Sequence, residues 1–333
     1  MSLAPTPWAT GRLGRVAAFR KLAGHRKERL LFGATYEDPH IEREALRDCH
    51  RVFCIVGAGD TARALAVNGH KVFAVDVNNA QIQYAQSRTD GQAFTPGAAE
   101  RIMQFGRFLM KAGGWSASDV NNFVKARTIS EQMDMWSDLT TGRGGAVLRT
   151  LLAPARLASV FQPAFVLLVG PKFADRLIET LTRSLSETPN QTNPFVRLLF
   201  LGEGSSAQSV PPGNRPTFKH VDAISYLRSQ PAGSFDGASL SNIGDGTNAA
   251  FHRELDAALR HAVNANGPVV VRTMGDVSTL GSTTMLGTLA PLQNDAPDAE
   301  RIQMVQCAAA TDRSLIWAGL EVQRNTVQPA SEI

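Results

Sequence analysis

"CIVGAGDTARALAVNGHKVFAVDVNNAQ", residues 54–81, decides the fold. An apolar run ending at Val56 feeds into Gly57-Ala58-Gly59 and then into Asp60-Thr61-Ala62. A second apolar run, beginning after Lys71, ends in Asp76. Residues 51–56 and 71–76 are β-branched and aromatic without alternation, which predicts two buried parallel strands. Thr61–Asn68 is the crossover helix between them, stopped by Gly69. Asn78 or Asn79 then caps a helix running to about Arg88. A glycine turn between strand and helix serves several nucleotides: it lets backbone approach the ligand, and an acid ending the second strand takes hydrogen bonds from ribose hydroxyls.

Downstream, strand–helix alternation lapses from Asp90 to about Pro212. Apolar-periodic segments at 98–111, 146–161 and 173–185 are separated by turn-rich pieces such as "TTGRGG" (140–145), which predicts a mostly helical insertion. Alternation then resumes. Residues 217–223 and 234–243 read as strands, 249–264 as a helix and 268–274 as a buried strand. Two further apolar stretches, 301–310 and 314–325, flank Thr311-Asp312-Arg313 and predict a closing antiparallel hairpin. The expected chain is therefore α/β, a Rossmann-type, mostly parallel seven-stranded sheet with a C-terminal antiparallel hairpin and a long helical insertion. Its divisions are an N-terminal helical segment (1–50), the first part of a nucleotide domain (51–90), the insertion on the substrate side (91–215) and the rest of the domain (216–333).

Composition narrows the classes. The 333 residues are 43% hydrophobic, enough for one large domain with an insertion. Net charge is +4, and the basic excess is uneven: Arg12, Arg15, Arg20, Lys21, Arg26, Lys27 and Arg29 crowd the first thirty residues. There Leu13, Val16, Phe19 and Leu22 repeat at near-helical spacing. The plain reading is a solvated helix packed on the domain; the sharper one is a peripheral contact with an anionic membrane face. No aromatic-interleaved basic patch argues for nucleic acid. Cys49, Cys54 and Cys307 form no pair motif, which suits a reducing, cytoplasmic compartment. Residues 151–170 are broken by Pro154, Arg156 and Pro163 and make a poor membrane span. The seven histidines show no ligand spacing, so no metal is expected, and His252 and His261 read as surface residues.

The choice of nucleotide turns on charge. In a dinucleotide fold the pyrophosphate rests on the helix N-terminus, where Asp60 stands here. S-adenosylmethionine (AdoMet) carries no phosphate and tolerates that acid. Asp222-Ala223 after the third strand offers an adenine contact, and a closing antiparallel hairpin is usual in AdoMet-dependent methyltransferase-like sheets. An NAD(P) oxidoreductase trails.

Two blocks are more specific. Phe32-Gly33-Ala34-Thr35-Tyr36-Glu37-Asp38-Pro39 precedes the first strand, and Val75-Asp76-Val77-Asn78-Asn79-Ala80-Gln81 follows the second. With "FDGASLSNIGD" (235–245) and "DRSLIWAGLEVQR" (312–324), they resemble the AdoMet-dependent 3-amino-3-carboxypropyltransferases that begin betaine-lipid synthesis on diacylglycerol. Departures are Gly57-Ala58-Gly59-Asp60-Thr61 in place of the family's S-A-G-C-N, Tyr36 for Trp, Asn242 for Asp, and Gly246 for an aromatic. The resemblance implies AdoMet as cofactor and a lipid or small-molecule hydroxyl as acceptor. A methyltransferase on a small molecule and a non-catalytic AdoMet-binding protein are the alternatives.

Alkyl transfer from a sulfonium is mainly a matter of alignment, helped by a base for a hydroxyl acceptor. Asp38, Asp245 and, behind them, Glu37 are the candidate bases, with Tyr36 to stack on or hydrogen-bond the ligand. The cofactor-binding candidates are Gly57, Ala58, Gly59, Asp76, Asn78, Asp222, Ala223 and Asn242. Each carboxylate also has an ordinary reading: Asp38 as part of a helix start, and Asp245-Gly246 as a turn.

Overall fold

Val52 and Cys54 point to one side of strand β1 (Arg51–Ile55) and Phe53 to the other, and this period of two builds both cores. β1 runs parallel to β2 (Lys71–Asp76), with Val52 beside Val72 and Ile55 beside Val75. The computed structural model describes residues 7–13, 29–170, 172–204, 209–275, 290–291, 303 and 311–325. Four more strands of three or more residues complete a mixed, mostly parallel sheet: β3 (Thr217–His220), β4 (Gly237–Ser239), β5 (Pro268–Thr273) and β7 (Gly319–Arg324). A two-residue piece, β6 (Ala290–Pro291), pairs antiparallel with β7. The order is β3-β2-β1-β4-β5-β7-β6, and β7 lies antiparallel to β5 with Val322 beside Val270.

Among the described residues the expected seven strands are six and a short rung. Of the predicted hairpin, the second arm starts at Gly319, and the first arm, 301–310, lies outside the described residues except for Gln303, which is helical. The helix predicted around Leu13, Val16, Phe19 and Leu22 is described only at its ends. Helix α1 (Pro7–Thr10) is seen, whereas Val16, Phe19, Leu22 and the basic cluster from Arg15 to Lys27 lie outside the described residues.

On one face of the sheet pack helices α2 (His40–Ala45), α3 (Asp60–Val67) and α4 (Asn79–Thr89), burying Ile41, Leu65 and Ile82. Asn78 caps α4, its side chain accepting from the Ala80 amide, as expected for an Asx residue before a helix. The opposite face carries Leu227, Leu255 and Leu259 from the helices Ala223–Ser229 and Ala249–Ala262.

The insertion is helical, as predicted, with corrected joints. Its helices are α5 (Ala98–Ala112), α6 (Ala117–Lys125), α7 (Ile129–Thr141), α8 (Arg143–Leu151), α9 (Pro154–Val160), α10 (Pro163–Val169) and α11 (Phe173–Leu185). The expected single segment 146–161 is split because Pro154 lacks an amide hydrogen and so opens a new helix at its first position. "TTGRGG" is a junction between α7 and α8, not a loop: Gly144 and Gly145 are buried inside the first turn of α8. Trp115, Phe123, Trp136 and Phe200 interlock in this layer, with Phe123 and Phe200 edge to face at 5.0 Å. Among the described residues no helix is long and apolar enough to cross a membrane.

Candidate functional site

Gly57 and Gly59 both adopt positive φ, at 51° and 84°, a region that favours glycine. Their reasons differ. A side-chain carbon on Gly59 would meet the Ala85 Cβ at 2.7 Å, so this glycine seats α3 against α4. One on Gly57 would meet only Thr35 Oγ1, at 3.5 Å; its free side faces a cavity. That cavity, of about 2030 Å³, runs from Gly57, Ala58, Asp76, Asp222 and Ala223 into the helical layer. Its far walls are Leu148, Leu152, Leu157, Phe161, Phe165 and Leu177.

Asp76 ends β2 at the cavity wall and accepts from the Asn78 amide at 2.8 Å. Burial pushes its carboxyl up to about 7, against the pull of the Asn78 amide and His220. Asp222 caps the helix Ala223–Ser229 by accepting from Ser225 N at 2.9 Å, and both Asp222 and Ala223 line the cavity. Asn242 donates to Asp245 Oδ2 at 3.1 Å; Asp245 also accepts from Thr273 Oγ1 at 2.5 Å and the Met274 amide at 2.8 Å. Burial nevertheless raises the Asp245 carboxyl. Both side chains sit at the cavity wall.

Three candidates serve elsewhere. Gly59 does not line the cavity, and neither do Asn78 and Asp38. Asn78 is fully buried, donating to Arg29 O at 2.8 Å while capping α4. Asp38 is held by the Arg313 guanidinium at 2.7 and 3.2 Å and by the His40 amide at 3.3 Å. Burial alone would raise the Asp38 carboxyl, but the Arg313 bonds hold it below its ordinary value, so it is an anchor rather than a base. Asp60 is likewise turned away. It accepts from Thr35 N at 2.7 Å and Arg63 at 2.6 Å, with Arg88 3.8 Å away, so its charge is already matched and does not exclude a pyrophosphate. His252 is half-buried, its ring bonded to Gly244 O at 3.1 Å, where a surface residue was expected. His261 is exposed.

The quoted motifs touch one another. Gln81 accepts from Leu31 N and Phe32 N at 2.6 and 3.0 Å and donates to Gly57 O, tying 30–39 to the glycine turn. Trp317 Nε1 donates to Tyr36 O at 2.6 Å, and Ser241 donates to Glu37. Glu37 lines the cavity while buried beside Thr61 Oγ1 at 3.1 Å and Arg272 at 3.9 Å; burial raises its carboxyl, with Glu42 adding to the rise and Arg272 opposing it.

Sequence reasoning missed Glu100 and Arg107. Buried Glu100 accepts from Gly33 N at 2.9 Å and from Tyr36 Oη at 3.3 Å, and burial raises both its carboxyl and the Tyr36 hydroxyl. Arg107 donates to Leu199 O at 3.0 Å and lines the same cavity. An acid and a base seven apart on an amphipathic helix carry no sign of an inward role. Among the described residues no group of three or more His, Cys, Asp or Glu is arranged to hold a metal. No family model, curated protein or solved structure matches this chain.

Proposed function

We propose that the chain is an AdoMet-dependent transferase that moves a 3-amino-3-carboxypropyl group to the hydroxyl of a lipid such as a diacylglycerol. The observation that carries this reading is the continuity of one cavity from Gly57 and Asp76 to an apolar chamber between helices. The nucleotide end fits the cofactor: the open side of Gly57 gives close approach, Asp76 stands ready for a ribose diol, and Ala223 leaves room beside Asp222 for a base. The β3-β2-β1-β4-β5-β7 order with a reversed β7 supports a methyltransferase-like sheet.

When bound, AdoMet supplies a sulfonium whose γ-carbon is open to attack by an oxygen nucleophile. The residues hold and orient. Apolar walls exclude water and align the acceptor. Asp245, raised by burial and fixed by Thr273, Met274 and Asn242, takes the hydroxyl proton.

The test is mass spectrometry of the nucleoside by-product after incubation with AdoMet and a lipid extract. Methylthioadenosine is the expected product. S-adenosylhomocysteine would turn the assignment to methyl transfer, for which the same glycine turn and Asp76 serve. Heat on titration with NADH and none with AdoMet would overturn the cofactor.

A further inference from the structure

The inward face of α5 carries Glu100, Met103, Arg107 and Met110, spaced by three and four, and all four line the cavity. Met103 packs against Ala34, Tyr36 and Leu198, and Met110 is buried in the helical layer. A guanidinium between two methionines is costly unless something anionic meets it. Lys111, Arg156 and Arg228 also line the cavity, but they are exposed, and Arg228 pairs with Glu254. Arg107 is half-buried.

The protein holds this side chain in place without neutralising it. Its Nη1 donates to Leu199 O at 3.0 Å. Its Nη2 lies so near Gly202 that a side-chain carbon there would meet it at 2.5 Å, and the φ of Gly202 is 76°. Contact and conformation both call for glycine at this spot. Among the described residues Arg107 forms no ion pair. Glu100, seven residues back, already accepts from Gly33 N, Gly97 N and Tyr36 Oη. Arg272 and Arg313 differ: acids hold those two guanidinia above the ordinary arginine value, whereas burial pulls Arg107 below it, against Tyr36 and Glu100.

Two consecutive residues link this helix to the glycine turn. Thr35 Oγ1 accepts from Ala58 N at 3.3 Å, and the Tyr36 hydroxyl donates to Glu100 on α5 at 3.3 Å. AdoMet offers one anionic group, the α-carboxylate of its methionine end, and the planar fork of a guanidinium matches a carboxylate. We propose that Arg107 binds that carboxylate, with Leu199 O and Gly202 setting the plane of the fork. The proposal rests on the reading of AdoMet as the cofactor. It adds that the arginine grips the group that is moved, not the nucleoside that is left.

The experiment is calorimetry of the full chain with three probes: AdoMet, decarboxylated AdoMet and methylthioadenosine. The second lacks only the carboxylate, and the third lacks the whole aminocarboxypropyl group. The wild type is expected to bind AdoMet about thirtyfold more tightly than decarboxylated AdoMet. Arg107→Met should lose about that factor for AdoMet and stay within about twofold for the other two probes. Arg107→Lys keeps the charge but not the fork, and should lose about tenfold for AdoMet alone, which tests the idea should the methionine variant misfold. Thermal melting shows which variants are folded. A folded Arg107→Met protein that binds AdoMet like the wild type overturns the proposal; if its turnover with a lipid acceptor falls as well, the arginine belongs to the acceptor. Equal losses for all three probes overturn it too, since the arginine would then shape the cavity without touching a carboxylate. Both failures leave AdoMet bound and the proposed function standing. A wild type that takes up none of the three probes ends both.

Discussion

The two ends of the cavity are held in different ways. Around Gly57, polar groups are locked by long-range hydrogen bonds: Gln81 to Phe32, Thr35 to Asp60, Ser241 to Glu37, Trp317 to Tyr36. In the helical layer the walls are leucine, methionine and phenylalanine, with few polar anchors. A rigid, polar-framed end suits one ligand of fixed shape, whereas methionine-bearing apolar walls repack around chains of varied length. On the proposed reading, the cavity takes one constant partner and one variable partner.

The strongest way to break this contrast is to attack the lock. Arg272 is fully buried, donating to Glu42 and to Asp38 O at 3.3 Å with Glu37 3.9 Å away, and these acids hold it charged against the cost of burial. Arg272→Met strands two carboxylates in the core. It should cost about 3–5 kcal/mol of stability, read from the urea midpoint. Adding Glu42→Leu should recover part of that loss, because one stranded charge is gone. A loss under about 1 kcal/mol would mean that the polar end is not locked as described.

Next in size is Asp76, to which the proposed function gives the ribose. Asp76→Ala should weaken AdoMet binding about a hundredfold, or ~3 kcal/mol, since charge-assisted hydrogen bonds to a diol are lost together. Calorimetry reads it directly, and unchanged affinity would detach the nucleotide from this end. The same carboxyl gives a pH signature. With its pKa at about 7, it must shed a proton to accept from a diol, so affinity should fall about tenfold from pH 8 to pH 6, with proton release detectable by repeating the titration in two buffers. Stability runs the other way. A carboxyl raised on folding contributes stability that is fully present below its unfolded pKa and is lost as pH rises through about 7.

What could be read in advance follows the range of the interaction. The strands, the crossover, the Asn78 cap and the wall position of Asp76 depend on neighbours a few residues away, so an apolar run and one turn reveal them. The misread acids all involve distant partners. Asp38 looks like a free acid before a helix until Arg313 closes on it from the far end of the chain. Asp60 looks like an unmatched charge at a helix start until Arg88 joins Arg63 beside it. Glu100 looks like a solvated acid until α5 folds it against Gly33. The cavity is the extreme case, because its space is what several packed helices leave between them.

The smallest effect tests the variable end alone. Leu148 lines the helical wall of the cavity from α8 and is only partly buried there. Leu148→Trp directs added bulk into existing space rather than into a filled core, so stability should change by less than about 1 kcal/mol. The hydrogen bonds framing Gly57 and Asp76 include none from Leu148, so AdoMet affinity should stay within about twofold. Turnover should fall for long-chain acceptors and persist for short ones, because only the former need the blocked length. If short and long acceptors lose turnover equally, the wall does not sort acceptors by length. If AdoMet affinity falls with them, the two ends are mechanically coupled and the contrast between a fixed and a yielding end fails.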